Sequence, residues 1–159
     1  MQQERKTQLS NDLNRAKRRA LHILERSDRT EHELRDKLSE NYLPEVVDAA
    51  VEYVKSYHYI DDHRYAVNYL NSRGRVKSSR QVEQELLYKK GISKAVLEEA
   101  REEAEPQDER EQIRRWIEKK HIDPANAAPE EKRRFYQFLL RRGFRSSDIL
   151  AELRENPSD

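Results

Sequence analysis

The chain has 159 residues, of which 40% are charged and only 35% hydrophobic, so it carries too little apolar surface to line one wide core and suits thin helical layers instead. Lys and Arg number 32 against 31 Asp and Glu, a net charge of +1 that argues against disorder, and the absence of Cys excludes a disulfide framework or a thiolate metal site. No apolar run is long enough to span a membrane, and residues 1–6 are polar and lead into no apolar stretch, so neither signal peptide nor anchor is expected and the reading is cytoplasmic.

Helix punctuation can be followed along the chain. A first helix is expected over residues 12–26, with Leu13, Ala16, Ala20, Ile23 and Leu24 on one stripe. Thr30 and Glu33 have the spacing of a capping box at the start of a second helix carrying Leu34 and Leu38. Pro44 suits the first turn of a third, whose Val46, Val47, Ala50, Val51 and Val54 form a buried face running into Tyr57, Tyr59 and Ile60. Asp61 and Asp62 open a fourth, with Tyr65, Ala66, Tyr69 and Leu70. After a basic loop, Ser78 or Ser79 caps a fifth, with Gln81 placed to complete a box from Ser78, and Gly91 ends it.

Ser93 begins a sixth helix to about Ala104, and Asp108 with Glu111 a seventh holding Ile113, Trp116 and Ile117. Pro129 opens an eighth that Gly143 stops, and Ser146 or Ser147 caps a ninth with Ile149, Leu150 and Leu153. Leu86-Leu87-Tyr88-Lys89-Lys90-Gly91-Ile92 resembles Leu139-Leu140-Arg141-Arg142-Gly143-Phe144, and more loosely residues 38–43; the two glycines lie 52 apart. Such a period means that units of three helices must stack to bury their faces. The expected fold is all-α: a flexible segment 1–11, then helical repeats at 12–60, 61–105 and 106–155 in an elongated, curved array.

Two stretches carry a family resemblance. Thr30-Glu31-His32-Glu33-Leu34-Arg35-Asp36-Lys37-Leu38 and His58-Tyr59-Ile60-Asp61-Asp62-His63-Arg64-Tyr65-Ala66 resemble signatures of the RecX family of regulators of the RecA recombination filament. Glu85-Leu86 with Lys90-Gly91-Ile92, and Phe138-Leu139-Leu140-Arg141-Arg142-Gly143-Phe144, match two further motifs in the same order, so the likeness runs from about Ala16 to Leu153. His58 stands where the family usually has Gly, and residues 76–79 replace a loop that is often glycine-rich. The resemblance implies three tandem three-helix units, binding along a RecA nucleoprotein filament, and suppression of its ATP hydrolysis, strand exchange and coprotease functions, hence modulation of DNA repair and the SOS response.

Charge is segregated along the chain. Residues 5–29 hold eight Lys or Arg against three Asp or Glu, residues 63–92 seven against two, residues 93–111 three against eight, and residues 129–145 six against two. Basic blocks separated by an acidic one favour a polyanion on part of the surface. The candidate contacts to a RecA filament or DNA are Arg64, Arg73, Arg75, Lys77, Arg80, Lys89, Lys90, Arg133, Arg134, Arg141, Arg142 and Arg145, with the loop cluster Arg73, Arg75, Lys77 and Arg80 the densest. A solvated charged face, or an acidic protein surface as ligand, reads the same cluster differently. Lys17, Arg18 and Arg19 are contiguous and cannot share a helix face, so at least one is expected to lay its stem over apolar surface.

Tyr65 and Tyr69 lie four apart on an apolar stripe and read as core with the hydroxyl at the rim, and Trp116 between Ile113 and Ile117 reads as core. His58, Asp61, Asp62 and His63 match no metal-ligand spacing, and no phosphate loop or nucleophile turn is present, so no catalytic residue, cofactor or metal is expected. The expected partners are a RecA filament and single- or double-stranded DNA within or outside it, with no membrane and a monomeric chain. A stand-alone helical DNA-binding protein and a helical-repeat protein adaptor remain the alternatives; the net charge of +1 speaks against the first.

Overall fold

The computed structural model describes residues 8–154. The expected all-helical fold is observed among them, as nine α-helices with no strand beyond a single bridge. They are α1 (Leu13–Arg26), α2 (Glu31–Ser39), α3 (Pro44–Ser56), α4 (Asp62–Arg73), α5 (Ser79–Gln84), α6 (Lys94–Glu103), α7 (Glu109–Lys119), α8 (Pro129–Arg141) and α9 (Ser146–Leu153). A π-helical turn, Glu85–Lys89, prolongs α5. None is long and apolar enough to cross a membrane.

The described residues form two compact units, one of residues 8–66 with 86–100 and the other of 67–85 with 101–154; each contains parts of α4, of the π-helical turn and of α6. In the first unit α1 packs on α3, and Ala16, Ala20, Ile23, Leu34, Leu38, Val47, Ala50, Val51, Val54 and Ile60 are buried together. Small residues on α1 let the valine face of α3 approach closely, so a thin layer closes with few large side chains. In the second unit Ile113, Phe135, Leu139, Phe144, Ile149 and Leu153 form the core of α7, α8 and α9. Trp116 is only partly buried beside it, edge-on to Phe138 at 5.1 Å between ring centres.

Most caps follow the local rules. Asp12 accepts from Arg15 N–H at 3.1 Å, and Thr30 and Glu33 form the complete reciprocal box at 3.2 and 3.3 Å. Pro44 and Pro129 stand in first turns, while Gly91 and Gly143 take φ of 68° and 89° after α5 and α8. Two expectations are corrected. Ser78 caps α5 but Gln81 does not reach back to the Ser78 N–H, its Oε1 having no donor among the described residues. Helix α9 has Arg145 at its cap and no side-chain cap bond, since the Ser146 hydroxyl is engaged with the Tyr136 hydroxyl at 2.8 Å.

Of the segment 1–11, residues 1–7 lie outside the described residues. Ser10 is tied to the α2–α3 corner by a parallel bridge, its N–H donating to Asn41 O at 2.8 Å and its carbonyl accepting from Leu43 N–H at 2.9 Å. The end of order expected at Asn156 and Pro157 also lies outside the described residues.

Candidate functional site

The loop between α4 and α5 is held from both sides. Gly74 packs so closely that a Cβ would strike the Leu70 carbonyl, and its own carbonyl accepts from the Gln112 side chain of α7. Ser79 N–H donates to Glu109 at 2.8 Å and Glu105 N–H to Asn71 at 2.8 Å, so the start of α7 and the acidic segment before it hold the helices that flank the basic loop. Arg73, Arg75 and Arg80 are exposed; Arg75 approaches Glu105 at 3.5 Å, a surface pair worth little in water.

Lys77 differs from its neighbours. Its Nζ lies 2.7 and 2.9 Å from the two carboxylate oxygens of Glu85, which is 8% exposed and also receives the Tyr69 hydroxyl. A carboxylate so far from solvent needs its counter-charge and its hydrogen bonds, so Lys77 is committed to the fold. Tyr69 therefore has a half-buried ring with its hydroxyl on a protein acceptor, whereas Tyr88 on the π-turn is 79% exposed beside Lys89.

The middle and C-terminal basic clusters meet at one joint. Ser78 Oγ, fully buried, donates to Arg142 O at 2.6 Å, and the space over Gly143 is filled by Ser78 and by Arg80 Cβ. This sets Arg80 beside the chain that carries Arg141, Arg142 and Arg145. The Arg142 guanidinium itself lies 4.6 Å over the Trp116 ring and 4.4 Å over Phe138, where it covers aromatic surface. Arg141 and Arg145 are exposed. Arg133 and Arg134 are exposed on α8, and Arg133 lines a groove of about 380 Å³ with Lys132, Tyr136, Leu150 and Arg154.

Arg64, Lys89 and Lys90 belong to the other compact unit. Arg64 and Lys89 are exposed, while Lys90 is partly buried and 3.5 Å from Glu33. There the same joint recurs: Thr30 Oγ1 donates to Lys90 O at 2.6 Å, and a Cβ on Gly91 would collide with His32. Between Thr30 and Ser78 the spacing is 48 residues and between the glycines 52, so the sequence repeat is also a repeat of one hydrogen bond.

A third basic group includes Arg18 and Arg19 of the contiguous run Lys17-Arg18-Arg19. Arg15, Arg18, Arg19 and His22 line a polar cleft of about 570 Å³ with Ser10, Asn41 and Tyr42. Lys17, contiguous with them in sequence, instead lies 4.5 Å over the Tyr53 ring. The signal was the spacing 15, 18, 19, 22, which is one face of a helix. The sequence motif Asp61-Asp62 also resolves into two roles: Asp61 accepts from Arg64 N–H at 3.1 Å in its own helix, and Asp62 accepts from Glu31 N–H of α2 at 2.9 Å. Burial raises the Asp62 pKa from its ordinary value, against the lowering effect of that bond.

Two family models match the sequence, one described as RecX, first three-helix domain, over residues 16–53, and one as RecX, third three-helix domain, over residues 107–151. The regulatory protein RecX of Cronobacter sakazakii is 34% identical over 144 residues, covering 84% of this chain and 87% of that protein. That of Haemophilus influenzae strain PittEE is 30% identical over 148 residues, covering 87% and 93%. Among solved structures, RecX from Lactobacillus salivarius superposes with a TM-score of 0.64 at 22% identity over 91% of this chain and 96% of that one. Another, a regulatory protein RecX, superposes with a TM-score of 0.72 at 25% identity over 90% and 72%.

Proposed function

This chain belongs to the RecX family, and from that premise we propose that it binds RecA nucleoprotein filaments and inhibits RecA recombinase, ATPase and coprotease activities, thereby modulating DNA repair and the SOS response. It acts by binding and carries out no reaction of its own, through repeats at 12–60, 61–105 and 106–155. The observation that supports this reading beyond the name of the relatives is the joint at Ser78 and Arg142, which sets Arg80 beside the chain segment that carries Arg141 and Arg145, within the unit that also holds Arg73 and Arg75. A filament offers both phosphates and acidic side chains, and exposed guanidiniums bind either.

The test is the single-stranded-DNA-dependent ATPase of RecA with and without a molar excess of this chain. The rate is expected to fall and strand exchange to fall with it, with no ATP hydrolysis by the chain alone; an unchanged RecA rate overturns the proposal. Naked DNA and DNA-free RecA serve as binding controls that separate filament docking from a stand-alone DNA-binding protein.

A further inference from the structure

The cleft beside α1 is built from two sides. Arg15, Arg18, Arg19 and His22 form its α1 wall, and Ser10, Asn41 and Tyr42 complete it from the bridged corner. No acidic side chain lines it. Among the described residues none of the ion pairs involves Arg15, Arg18 or Arg19, whereas in the same unit Arg29 and Lys90 share Glu33, Arg35 reaches Glu31 and Asp48, and Lys55 reaches Glu31. Tyr42 marks the site independently. It is 6% exposed with its ring in the core of the unit, yet its hydroxyl makes no hydrogen bond among the described residues. A buried tyrosine ordinarily sets its O–H on a partner. This hydroxyl is not sealed from solvent and the residue lines the cleft, so the cleft is where its donor emerges. Ser10 adds a second donor: its Oγ accepts from Asp12 N–H at 3.1 Å, and its own hydrogen has no acceptor among the described residues.

We propose that this cleft is a phosphate site, taking two linked phosphates of one ligand on the guanidiniums of Arg15, Arg18 and Arg19 and on the Tyr42 and Ser10 hydroxyls. The lining offers donors and uncompensated positive charge, so the ligand is an anion rich in acceptor oxygens. A carboxylate brings one charge and two oxygens in a plane. A phosphate brings more acceptors, arranged tetrahedrally, which donors on both walls reach together and which guanidiniums grip in bidentate pairs. Arg15 and His22 stand seven residues apart on α1, a rise of roughly 10 Å, and the cleft holds about 570 Å³, which is more than one phosphate needs and leaves room for two in line. The linked phosphates are those of a nucleic-acid backbone or of a free condensed phosphate, the same chemistry from two sources. The site belongs to the compact unit that lacks Arg73, Arg75, Arg80 and the C-terminal arginines, so it is separate from the clusters tested for RecA inhibition.

The full chain is titrated at low salt, without RecA, with sodium tripolyphosphate by calorimetry, and with a labelled abasic oligodeoxynucleotide and a labelled hexaglutamate by fluorescence anisotropy. At least one phosphate probe is expected to bind about tenfold more tightly than hexaglutamate. Tripolyphosphate alone, the abasic strand alone, or both support the site and tell which source it takes. Arg18→Gln with Arg19→Gln is expected to weaken the phosphate probe about tenfold, while Lys37→Gln with Lys94→Gln, the same loss of charge from exposed positions outside the cleft, leaves it within about twofold. Tyr42→Phe is expected to weaken it several-fold at an unchanged melting temperature, since the hydroxyl has no partner in the fold to lose; should that variant not fold, the two charge pairs still decide. No binding of either phosphate probe, hexaglutamate binding as tightly, equal losses in the two charge pairs, or a folded Tyr42→Phe that binds like the parent overturns the proposal. Because RecA is absent, failure here leaves RecA inhibition standing, and loss of RecA inhibition leaves this result standing.

Discussion

Arginines and lysines that look alike in sequence have separate fates in the structure. Lys77 is held by a buried carboxylate, Lys90 by Glu33, Lys17 and Arg142 by aromatic rings, whereas Arg73, Arg80, Arg141 and Arg145 reach solvent. His58 shows how a departure from the family pattern is accommodated: its φ is 58°, the left-handed region that Gly occupies at lower cost, so the family glycine answers a backbone requirement. Asp62 provides a pH prediction. Its folded pKa is raised because burial disfavours the carboxylate, so ionisation opposes folding; the penalty is absent below the ordinary carboxylate range and fully present above the folded pKa. Asp62→Asn keeps an oxygen for Glu31 N–H and removes the charge. It is expected to melt higher than the parent at neutral pH and to lose that advantage as the pH falls through the carboxylate range; an equal gain at every pH would contradict the assignment.

At the scale of elements, the two hydroxyl joints explain why the repeat has a hydroxyl at one end and a glycine at the other. Thr30 and Ser78 each cap their own helix and donate to a carbonyl 60 or 64 residues away, and only a glycine lets that carbonyl approach. Ser78→Ala removes the cap and leaves the Arg142 carbonyl without its donor, and the two losses together are expected to cost about 2 kcal/mol in urea unfolding. Ser78→Thr, the residue the first repeat uses, should recover most of it; a cost below about 0.5 kcal/mol for the alanine variant would show that the joint is dispensable. The π-turn has a related origin. From Leu86 the chain reaches its glycine one residue later than from Leu139, and Ile92 N–H closes on Leu86 O at 2.9 Å where Phe144 N–H closes on Leu139 O at 3.2 Å. The extra residue is absorbed in a wider turn, which leaves Tyr88 and Lys89 exposed.

For the whole molecule, the consequence is a narrower and cleaner test of the binding surface. Arg73, Arg75 and Arg80 replaced together by Ala should reduce inhibition of the RecA ATPase several-fold while shifting stability by no more than about 0.5 kcal/mol per site, since all three are exposed. Lys77 stays out of this set because its removal strands Glu85. If the arginines meet phosphates, the loss is largest at low salt and the salt slope shrinks with each contact removed. The matching variant replaces Arg133, Arg134, Arg141 and Arg145, leaving Arg142 on its aromatic rings. Both variants inhibiting like the parent would exclude these two clusters and direct attention to the Arg15, Arg18, Arg19 and His22 cleft.

By itself the sequence determined the helices, because caps, prolines, glycines and apolar spacing act within a few residues: the box at Thr30 and Glu33, the prolines opening α3 and α8, and the glycines ending α5 and α8 all stand where local chemistry places them. It also carried the likeness between the segments ending at Gly91 and Gly143, each of which closes on a hydroxyl of an earlier helix cap. Only the tertiary structure decided which cations reach solvent, that Ser78 faces Arg142, that the box at Gln81 is half made, and that Gln112 is buried with its amide nitrogen on Gly74 O. The reason is physical: long flexible side chains and buried hydroxyls take their energies from partners brought close by packing, and sequence spacing carries no information about a contact made 64 residues away.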